Sequence, residues 1–386
     1  MTIGIIGGGI AGLAAAIALA KTGVRADVYE QSAEFDEVGA GLQIGPNAVS
    51  ALKQLGAFEA LEPSTVAPQN IRIMDGLSGK LLTTLPLGKR FENHFGQPYR
   101  VAHRADLLFA LLDTAKTHPN IKLHLDSQLT RLDIEPDATT CHFGNTRQIK
   151  HKTLIGADGF RSVVRRSVLN DGPPIFAGHT LYRALIPIES APDIANIADV
   201  QLWLYPNGHV VHYPVSAGKH LNIVAASEQD WENKNWSTPA TPSEVISFYT
   251  NATPALQMVL DAPQSWLKWA AAGHPHSNQW SKHTTVLIGD AIHPTLPYLA
   301  QGAAMAMEDA VCLAHALKTG NGFAEYATAR QERTKKIVST SSRLGQIYHM
   351  KNPQRLARNL VIRHSSTTSQ YKQLAWLYNW TAPDLG

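Results

Sequence analysis

Apolar residues near the start of the chain follow a strand–helix–strand pattern. Thr2 to Ile6 is a short apolar run, the size of a buried parallel strand. Ile10 to Lys21 is rich in Ala, Leu and Ile and has no proline, which predicts a helix that ends near Gly23. Ala26 to Glu30 is a second apolar run. This βαβ beginning predicts a parallel sheet with a right-handed crossover.

Two later segments repeat the pattern of an apolar run followed by glycine. Thr153 to Ala157 leads into Asp158-Gly159, and Thr285 to Ile288 leads into Gly289-Asp290. Runs of this length without alternation are typical of strands buried on both faces. Both segments are therefore predicted to return to the sheet that the N-terminal strands begin.

Helical periodicity dominates the last part of the chain. It runs from Gly302 to about Gly345 and resumes after Pro353. Trp266 and Trp269, three residues apart, have the spacing of one apolar helical face.

Between the returning strands the pattern of apolar and polar residues is different. From about Pro173 to His283 the chain has alternating runs such as Val200 to Tyr205, many prolines and most of the eight tryptophans. Alternation predicts an antiparallel sheet with half-exposed faces. We therefore expect a mixed α/β fold in which a mostly antiparallel β domain is inserted into a Rossmann-like nucleotide-binding domain. The predicted units are residues 1–172 and 284–345 for the nucleotide-binding domain, 173–283 for the insert, and 346–386 for a helical tail.

Composition and charge exclude several classes of partner. The 386 residues carry a formal net charge of +3, and no block of like charges suggests nucleic-acid binding. Cys141 and Cys312 form neither a disulfide framework nor a metal-binding spacing, which favours a reducing, cytoplasmic setting. The apolar N-terminus has no basic region before it and contains glycines, unlike a signal peptide. No run reaches the roughly 18 apolar residues of a membrane span, so we expect a soluble protein without a membrane partner.

A glycine-rich turn joins the first strand to the first helix. It reads Gly7-x-Gly9-x-x-Gly12, and the acidic residue Glu30 follows at the end of the second strand. In such turns the first glycine permits the tight turn, the second lets the backbone approach a pyrophosphate, and the third allows close packing. The helix N-terminus offers free N–H groups to the phosphates, and Glu30 can accept hydrogen bonds from a ribose. This motif predicts a dinucleotide but does not separate FAD from NAD.

Further motifs decide between these cofactors by resemblance. The segments 154–165 (LIGADGFRSVVR) and 286–294 (VLIGDAIHP), continued by 301–310, resemble the Asp-Gly and Gly-Asp motifs of flavoprotein aromatic hydroxylases. Segments 39–47 (GAGLQIGPN) and 103–107 (HRADL) add to the likeness. With the glycine turn they occur in the family's order along nearly the whole chain. Within the family the chain is most similar to single-component, class A, salicylate-hydroxylase-like monooxygenases, the group of 3-hydroxybenzoate and 6-hydroxynicotinate monooxygenases.

The resemblance implies FAD as the cofactor and assigns its contacts. Arg104 would lie beside FAD, Asp290 would bond its ribityl or pyrophosphate region, and Leu129 would contact the adenine end through its backbone. The helix beginning at Gly302 would direct its positive end at the flavin. Asp158 either contacts the cofactor or supports the fold. The full set of expected cofactor-binding residues is Gly7, Gly9, Ala11, Gly12, Glu30, Gln31, Gln43, Arg104, Leu129, Asp158, Asp290, Gly302 and Ala303.

The reductant has no nucleotide-binding motif of its own. The sequence contains no second Gly-x-Gly-x-x-Gly and no redox cysteine pair. The resemblance therefore implies that NADH or NADPH binds transiently, and the sequence does not choose between them. In the family's reaction this nucleotide reduces FAD, O₂ adds to form a C4a-hydroperoxide, and one oxygen is transferred to an electron-rich ring.

The candidate catalytic residues are His209, Tyr213 and His293. His209 and Tyr213 share one face of a predicted strand, because side chains alternate along a strand, and His212 lies on the other face. His293 stands in the Gly-Asp segment, where the flavin ring is expected. The candidate substrate-binding residues are Gln43, Arg183 and Pro294.

The predicted function is NAD(P)H- and O₂-dependent hydroxylation of a small hydroxylated aromatic or heteroaromatic acid. Two alternatives stay open. One is an epoxidase or N-hydroxylase of the same fold that acts on a non-aromatic or larger substrate, and the other is a non-oxygenating FAD-binding redox protein. A monomer and a homodimer are both compatible with the sequence.

Overall fold

The computed structural model describes residues 2–35, 40–144, 146–195, 198–231 and 235–386. Gly39, the first residue of the motif at 39–47, lies outside them. The strands of the described part are β1 Thr2–Ile6, β2 Arg25–Tyr29, β3 Gly41–Ile44, β4 Asn70–Asp75, β5 Leu81–Pro86, β6 Arg100–His103, β7 Ile121–His124, β8 Leu129–Ile134, β9 Thr139–Phe143, β10 Arg147–His151, β11 Leu154–Gly156, β12 Ile175–Pro187, β13 Val200–Tyr205, β14 Gly208–Val215, β15 His220–Glu228, β16 Ser237–Ala240, β17 Trp266–Gly273, β18 Ser281–Lys282 and β19 Thr285–Leu287.

The helices of the same part surround two large sheets. They are α1 Ile10–Lys21, α2 Pro46–Leu55, α3 Phe58–Leu61, α4 Lys89–Phe95, α5 Arg104–Lys116, α6 Val163–Leu169, α7 Pro242–Phe248, α8 Pro254–Asp261, α9 Gly302–Lys318, α10 Gly322–Tyr348, α11 Gln354–Arg363 and α12 Thr367–Tyr378. Within the described residues no helix combines the length and the hydrophobicity that a membrane crossing requires.

The first large sheet has six strands in the order β18-β19-β11-β1-β2-β7. β1 pairs in parallel with β2 and β11, and β11 pairs in parallel with β19. The two apolar runs that precede Asp158 and Gly289 therefore return to the sheet that β1 and β2 begin, as predicted; all its pairings are parallel except that of β18 with β19. Helix α1 packs against α9 and is buried on nearly every side, which explains its continuous apolar sequence. The mixed α/β class predicted from the sequence is confirmed.

The second large sheet has eight strands in the order β16-β17-β12-β15-β14-β13-β4-β5. Six of them come from residues 173–283, where alternation predicted an antiparallel sheet. However, β4 and β5 come from residues 70–86, and β4 pairs in parallel with β13. The sheet therefore extends beyond the predicted insert, because pairing between distant segments leaves no local signal.

The helical interpretation of Trp266 and Trp269 is wrong. Both lie on strand β17, which pairs with β12 and β16, and their side chains point to opposite faces of the sheet. Trp266 joins a buried cluster with α7 and α8, whereas Trp269 is opposite Leu181. Pairing on both sides of this segment overrides a three-residue spacing that suits either element.

Two adjacent carboxylates of α9 lie in the core and are held by arginines of α10. Arg330 donates from Nε to Asp309 at 2.7 Å and from Nη1 to Glu308 at 2.5 Å. Arg333 donates two further bonds to Glu308, at 2.7 and 2.8 Å. Burial by itself raises the pKa of Glu308, but the two guanidinium groups hold it below its ordinary value. These charges fix α9 against α10.

The same carboxylates reach the loops around the start of α9. Asn47 Nδ2 donates to Glu308 at 2.6 Å and to Gln301 Oε1 at 2.8 Å. Asp309 accepts from the backbone N–H of Gly289 at 2.9 Å. One buried network therefore positions α2, the turn after β19 and the N-terminus of α9.

Replacing Arg330 by alanine should lower the free energy of unfolding by about 3–5 kcal/mol, because it leaves the buried Asp309 without a guanidinium partner and Glu308 with only that of Arg333. Urea denaturation of the purified protein measures this change. Lys335 lies exposed on the same helix, and Lys335→Ala is the matched control, with an expected change within about 0.5 kcal/mol. Equal stability of the two variants would contradict a stabilising role for the network.

Candidate functional site

A cavity of about 570 Å³ lies between the two large sheets. Gly7, Asp158 and Asp290 line it, and they follow the carboxyl ends of β1, β11 and β19. Ligands of open parallel sheets bind at this edge, where the loops leave the strands. The residues expected to bind the cofactor and those expected to bind the substrate line this same cavity, with exceptions given below.

The three glycines of the N-terminal turn have different surroundings. Gly7 has a positive φ of 102°, and a Cβ there would lie 2.4 Å from the carbonyl oxygen of Ala157. A Cβ on Gly12 would lie 1.9 Å from the carbonyl oxygen of Gly7, so α1 could not approach the turn with any larger residue. A Cβ on Gly9 would meet no atom within 4 Å. Gly7 and Gly12 therefore shape the turn, whereas Gly9 leaves free space on its cavity side.

Glu30 lines the cavity and also braces the glycine turn. Its Oε2 accepts from the N–H of Gly8 at 2.7 Å, and its Oε1 accepts from the N–H of Ser32 at 3.0 Å. Gln31 and Leu129 line the same end of the cavity. Each carboxylate oxygen has a second lone pair, so these bonds leave Glu30 able to accept from a ribose hydroxyl.

Arg104 and Asp290 both line the cavity and interact electrostatically. Arg104 is the first residue of α5, and Asp290 lies in a short 3₁₀ turn after β19. Burial raises the pKa of Asp290, while the nearby Arg104 guanidinium opposes that rise. This part of the cavity can therefore offer both a fixed positive charge and a carboxylate to a polar ligand.

The N-terminus of α9 forms another wall. Gly302, Ala303 and Ala306 line the cavity. Their small side chains leave backbone N–H groups accessible, and the helix dipole brings partial positive charge to this end. Gln301, just before the helix, also lines the cavity, and its side chain is held by Asn47.

The eight-stranded sheet covers the far end of the cavity. His209, Val211 and Tyr213 of β14 line it together with Val224 of β15 and Arg183 of β12. Val211 is paired with Val224, and Val224 with Arg183, so these side chains project from one face of the sheet. The predicted alternation along β14 is therefore observed.

The alternation also sends His212 to the other face. There it accepts a hydrogen bond from Trp203 Nε1 at 3.1 Å. Arg183, on the cavity face, lies with its guanidinium carbon 4.8 Å from the centroid of the Trp269 ring.

Two partly buried hydrogen bonds fix strand β3, which carries Gln43. Gln43 Oε1 accepts from the hydroxyl of Tyr99 at 2.6 Å, and the N–H of Gly41 donates to Asn222 Oδ1 at 2.7 Å. Gln43 lines the cavity near Tyr213. Burial raises the pKa of Tyr213 well above its ordinary value, so its hydroxyl stays protonated.

His293, expected to act in catalysis, lies behind the wall of the cavity. His293 and Pro294 are buried but do not line the cavity. His293 Nε2 instead contacts Asp309 Oδ2 at 2.5 Å, within the network that holds α9. The turn after β19 directs Asp290 to the cavity and residues 291–294 away from it. His293 therefore lies within the network that holds α9, and Pro294, expected to bind substrate, is not among the residues that line the cavity.

Asp158 lines the cavity, but its carboxylate caps a helix. It accepts from the hydroxyl of Ser162 and from the N–H groups of Val163 and Val164, at 2.7 and 3.2 Å for the latter two. Of the two roles left open for Asp158, the geometry favours support of the fold. Gly12, expected among the cofactor contacts, lies beneath the turn and does not line the cavity.

Several residues around the cavity were not predicted from the sequence. Tyr99 and Asn222 hold strand β3, which carries Gln43, and His349 contacts His209 from 140 positions away. These residues have no local motif, because their neighbours come from distant strands and helices. Glu308 and Asp309 belong to the motif at 301–310, but no motif in the sequence predicts that Arg330 is their partner.

The cavity fits the cofactor that the resemblance implies. A glycine turn with free space at Gly9, a guanidinium at Arg104 and a helix N-terminus at Gly302 would complement the phosphates and ring of a flavin dinucleotide. The far end, beneath β14, remains available for a second, smaller molecule.

Comparison with known proteins agrees with this geometry. A family model described as an FAD binding domain matches residues 1–341. The chain is 36% identical to the 3-hydroxybenzoate 6-hydroxylase of Klebsiella oxytoca, over 97% of this chain and 96% of that protein. It is 29% identical to the 6-hydroxynicotinate 3-monooxygenase of Bordetella bronchiseptica, over 90% of each. Klebsiella pneumoniae HpxO, solved with FAD and uric acid, has the same fold, with a TM-score of 0.87 at 24% identity over 100% of this chain and 98% of that one.

Gly9→Ala and Gly12→Ala should separate cofactor binding from folding. Gly9→Ala should leave the stability of the apoprotein within about 1 kcal/mol, since the methyl group meets no protein atom, but should weaken FAD binding at least about tenfold. Gly12→Ala should destabilise the apoprotein itself, because of the overlap with Gly7. Thermal unfolding of the apoproteins and FAD titration by fluorescence measure the two effects. Full FAD affinity in Gly9→Ala would show that the phosphates do not pass this glycine.

Proposed function

The chain belongs to the family of FAD-dependent aromatic hydroxylases, and on this premise we propose that it hydroxylates a small hydroxylated aromatic or heteroaromatic acid. The electron donor is NADH or NADPH, and the oxygen comes from O₂. The observation that carries the substrate class is the cavity face of the eight-stranded sheet, where a cation, a neutral imidazole and a phenol surround an apolar floor. The cytoplasmic setting and the monomeric or homodimeric state expected from the sequence remain predictions.

FAD would occupy the cavity from the glycine turn to the start of α9 and leave the end beneath β14 to the substrate. Gly7, Gly9 and Glu30 would hold its adenosine end, Arg104 and Asp290 its middle, and the start of α9 its ring. When bound, FAD supplies electron transfer from the nicotinamide nucleotide to O₂ and transfer of one oxygen atom to the substrate. The positive end of α9 would stabilise negative charge that develops on the ring.

Arg183 is the proposed partner of the substrate carboxylate. Its guanidinium lies on the cavity face of β12, stacked near Trp269, which restricts its orientation. Val211 and Val224 beside it are apolar and exclude water from the space around the substrate ring. A carboxylate at Arg183 would place the opposite edge of a small ring towards α9.

His209 is the proposed base for the substrate hydroxyl. Burial lowers its pKa to about 3, so the imidazole is neutral near pH 7 and has a ring nitrogen that can accept from the substrate hydroxyl. Because the same burial disfavours the imidazolium, a proton taken from the substrate has to be passed on rather than kept on His209. Tyr213 keeps its proton, because burial raises its pKa, and can only donate its hydroxyl hydrogen or accept at oxygen. A phenol held between them would be activated towards attack on an electrophilic oxygen.

A screen of hydroxybenzoates and hydroxypyridine carboxylates tests the proposal directly. At least one compound should accelerate the oxidation of NADH or NADPH by the FAD-loaded enzyme, with hydroxylated product matching the nucleotide consumed. Product analysis and H₂O₂ assay measure the coupling. If no aromatic acid in the screen stimulates oxidation, the substrate class is wrong.

Arg183→Gln tests the carboxylate contact. The dissociation constant of an accepted hydroxybenzoate should rise about 10- to 100-fold, the loss of one charge-assisted hydrogen bond. The affinity for the matching phenol without a carboxylate should change less than about threefold, which makes that phenol the internal control. Titrations followed by flavin absorbance give both constants. An equal loss for both compounds would remove Arg183 from carboxylate recognition.

A further inference from the structure

A row of hydrogen bonds leads from the cavity to the surface. His209 lines the cavity, and its Nδ1 lies 2.9 Å from His349 Nε2. His349 Nδ1 in turn lies 3.2 Å from Glu228 Oε1. The His349 side chain is 1% exposed, whereas that of Glu228 is 41% exposed. The row therefore begins at the cavity, crosses the core and ends in solvent.

The architecture of the sheet holds these three residues in line. His209 is paired with Ala226 on β15, and Glu228 lies two residues further along the same strand, on the same face. His349 caps the C-terminus of α10. The N–H of Asn207 donates to the carbonyl of His349 at 2.9 Å, and the carbonyl of Asn207 accepts from Glu228 N at 2.7 Å. One turn thus fixes His349 and Glu228 beside the strand that carries His209.

The end groups of the row determine which ring nitrogens carry hydrogen. An ionised carboxylate can only accept, so His349 Nδ1 must donate to Glu228. Burial lowers the pKa of His349 to about 2, which keeps it neutral, and its Nε2 is then an acceptor. His209 Nδ1 must therefore donate to His349. In neutral His209 the remaining nitrogen, Nε2, carries a lone pair and is the nitrogen free to accept a proton.

The surroundings of the row are largely apolar. Leu181, Ala226 and Tyr298 belong to one buried cluster on this side of the sheet. Other titratable and charged groups face the two histidines from neighbouring elements: His179 on β12, Tyr298 in the loop before α9, Tyr348 at the end of α10 and Arg358 on α11. A positive charge that stayed on either imidazole would be poorly solvated, which favours its passage to the exposed carboxylate.

We propose that His209, His349 and Glu228 form a proton relay that carries the substrate's hydroxyl proton from the cavity to solvent. The relay rests on the proposed function. The substrate O–H breaks as an N–H forms at His209 Nε2, and the His209 Nδ1 proton passes to His349 Nε2. The His349 Nδ1 proton then passes to Glu228, which releases it to water. The substrate is left as a phenolate, and charge and protons balance at every step. His349 and Glu228 act through His209 and touch no substrate.

The relay is tested by stopped-flow mixing of the oxidised FAD-loaded enzyme with 3-hydroxybenzoate in weak buffer. A pH indicator reports proton release, and flavin absorbance reports binding. His349→Ala and Glu228→Gln should each slow proton release at least about tenfold and leave the dissociation constant within about twofold. Added imidazole should restore the rate in His349→Ala, which a purely structural role would not allow. Glu189→Gln, an exposed carboxylate outside the row, is the matched control and should release protons at the wild-type rate.

The outcomes are separable. Variants that release the proton as fast as the wild type overturn the relay and leave the proposed function standing. A wild-type enzyme that binds neither a hydroxybenzoate nor a hydroxypyridine carboxylate overturns the proposed function and the relay with it. Nitrogen-15 spectra of the substrate-free enzyme should show His209 and His349 neutral with hydrogen on Nδ1, and the opposite tautomer would contradict the relay.

A metal ion is an alternative occupant of this place, because the possible ligand atoms of His179, Glu228 and His349 lie within 4.8 Å of one another. Proton release that requires a divalent cation, and is lost with EDTA, would likewise overturn the relay.

Discussion

The buried pairing of Glu308 and Asp309 with Arg330 is the interaction on which the site depends. It is fully enclosed, and its carboxylates also hold Asn47, His293 and the N–H of Gly289. Burying charges is unfavourable unless each is compensated, so this network tolerates few arrangements. The helix that presents its N-terminus to the cavity is thereby set in position against α2, α10 and the turn that carries Asp290.

A second constraint is the alternation of side chains on the eight-stranded sheet. One face supplies Arg183, His209 and Tyr213 to the cavity, and the same face continues outward to Glu228. The surface that would recognise a substrate and the path that would remove its proton are thus parts of one face. The other face, with His212 and Trp266, packs in separate surroundings and takes no part in the cavity.

Much of the fold could be predicted from the sequence, because it depends on short-range patterns. The βαβ beginning, the returning strands and the α9–α10 helices each have a local signal. The cavity walls at Gly7, Asp290 and Gly302 followed from motifs of known geometry. Contacts between distant segments could not be predicted, among them the pairing of β4 with β13 and the contact of His349 with His209. The direction of the turn that places His293 outside the cavity could not be predicted either. A residue type in a motif does not reveal the direction of its side chain.

The central claim is that one cavity binds FAD at one end and a hydroxylated aromatic acid beneath β14 at the other. A crystal structure of the FAD-loaded protein with a bound hydroxybenzoate tests it most directly. We expect the carboxylate within hydrogen-bonding distance of Arg183 and the hydroxyl within hydrogen-bonding distance of His209 Nε2, with the ring facing the N-terminus of α9. A hydroxybenzoate bound outside this cavity, or bound within it with neither contact, would show that the cavity does not recognise the substrate in this way.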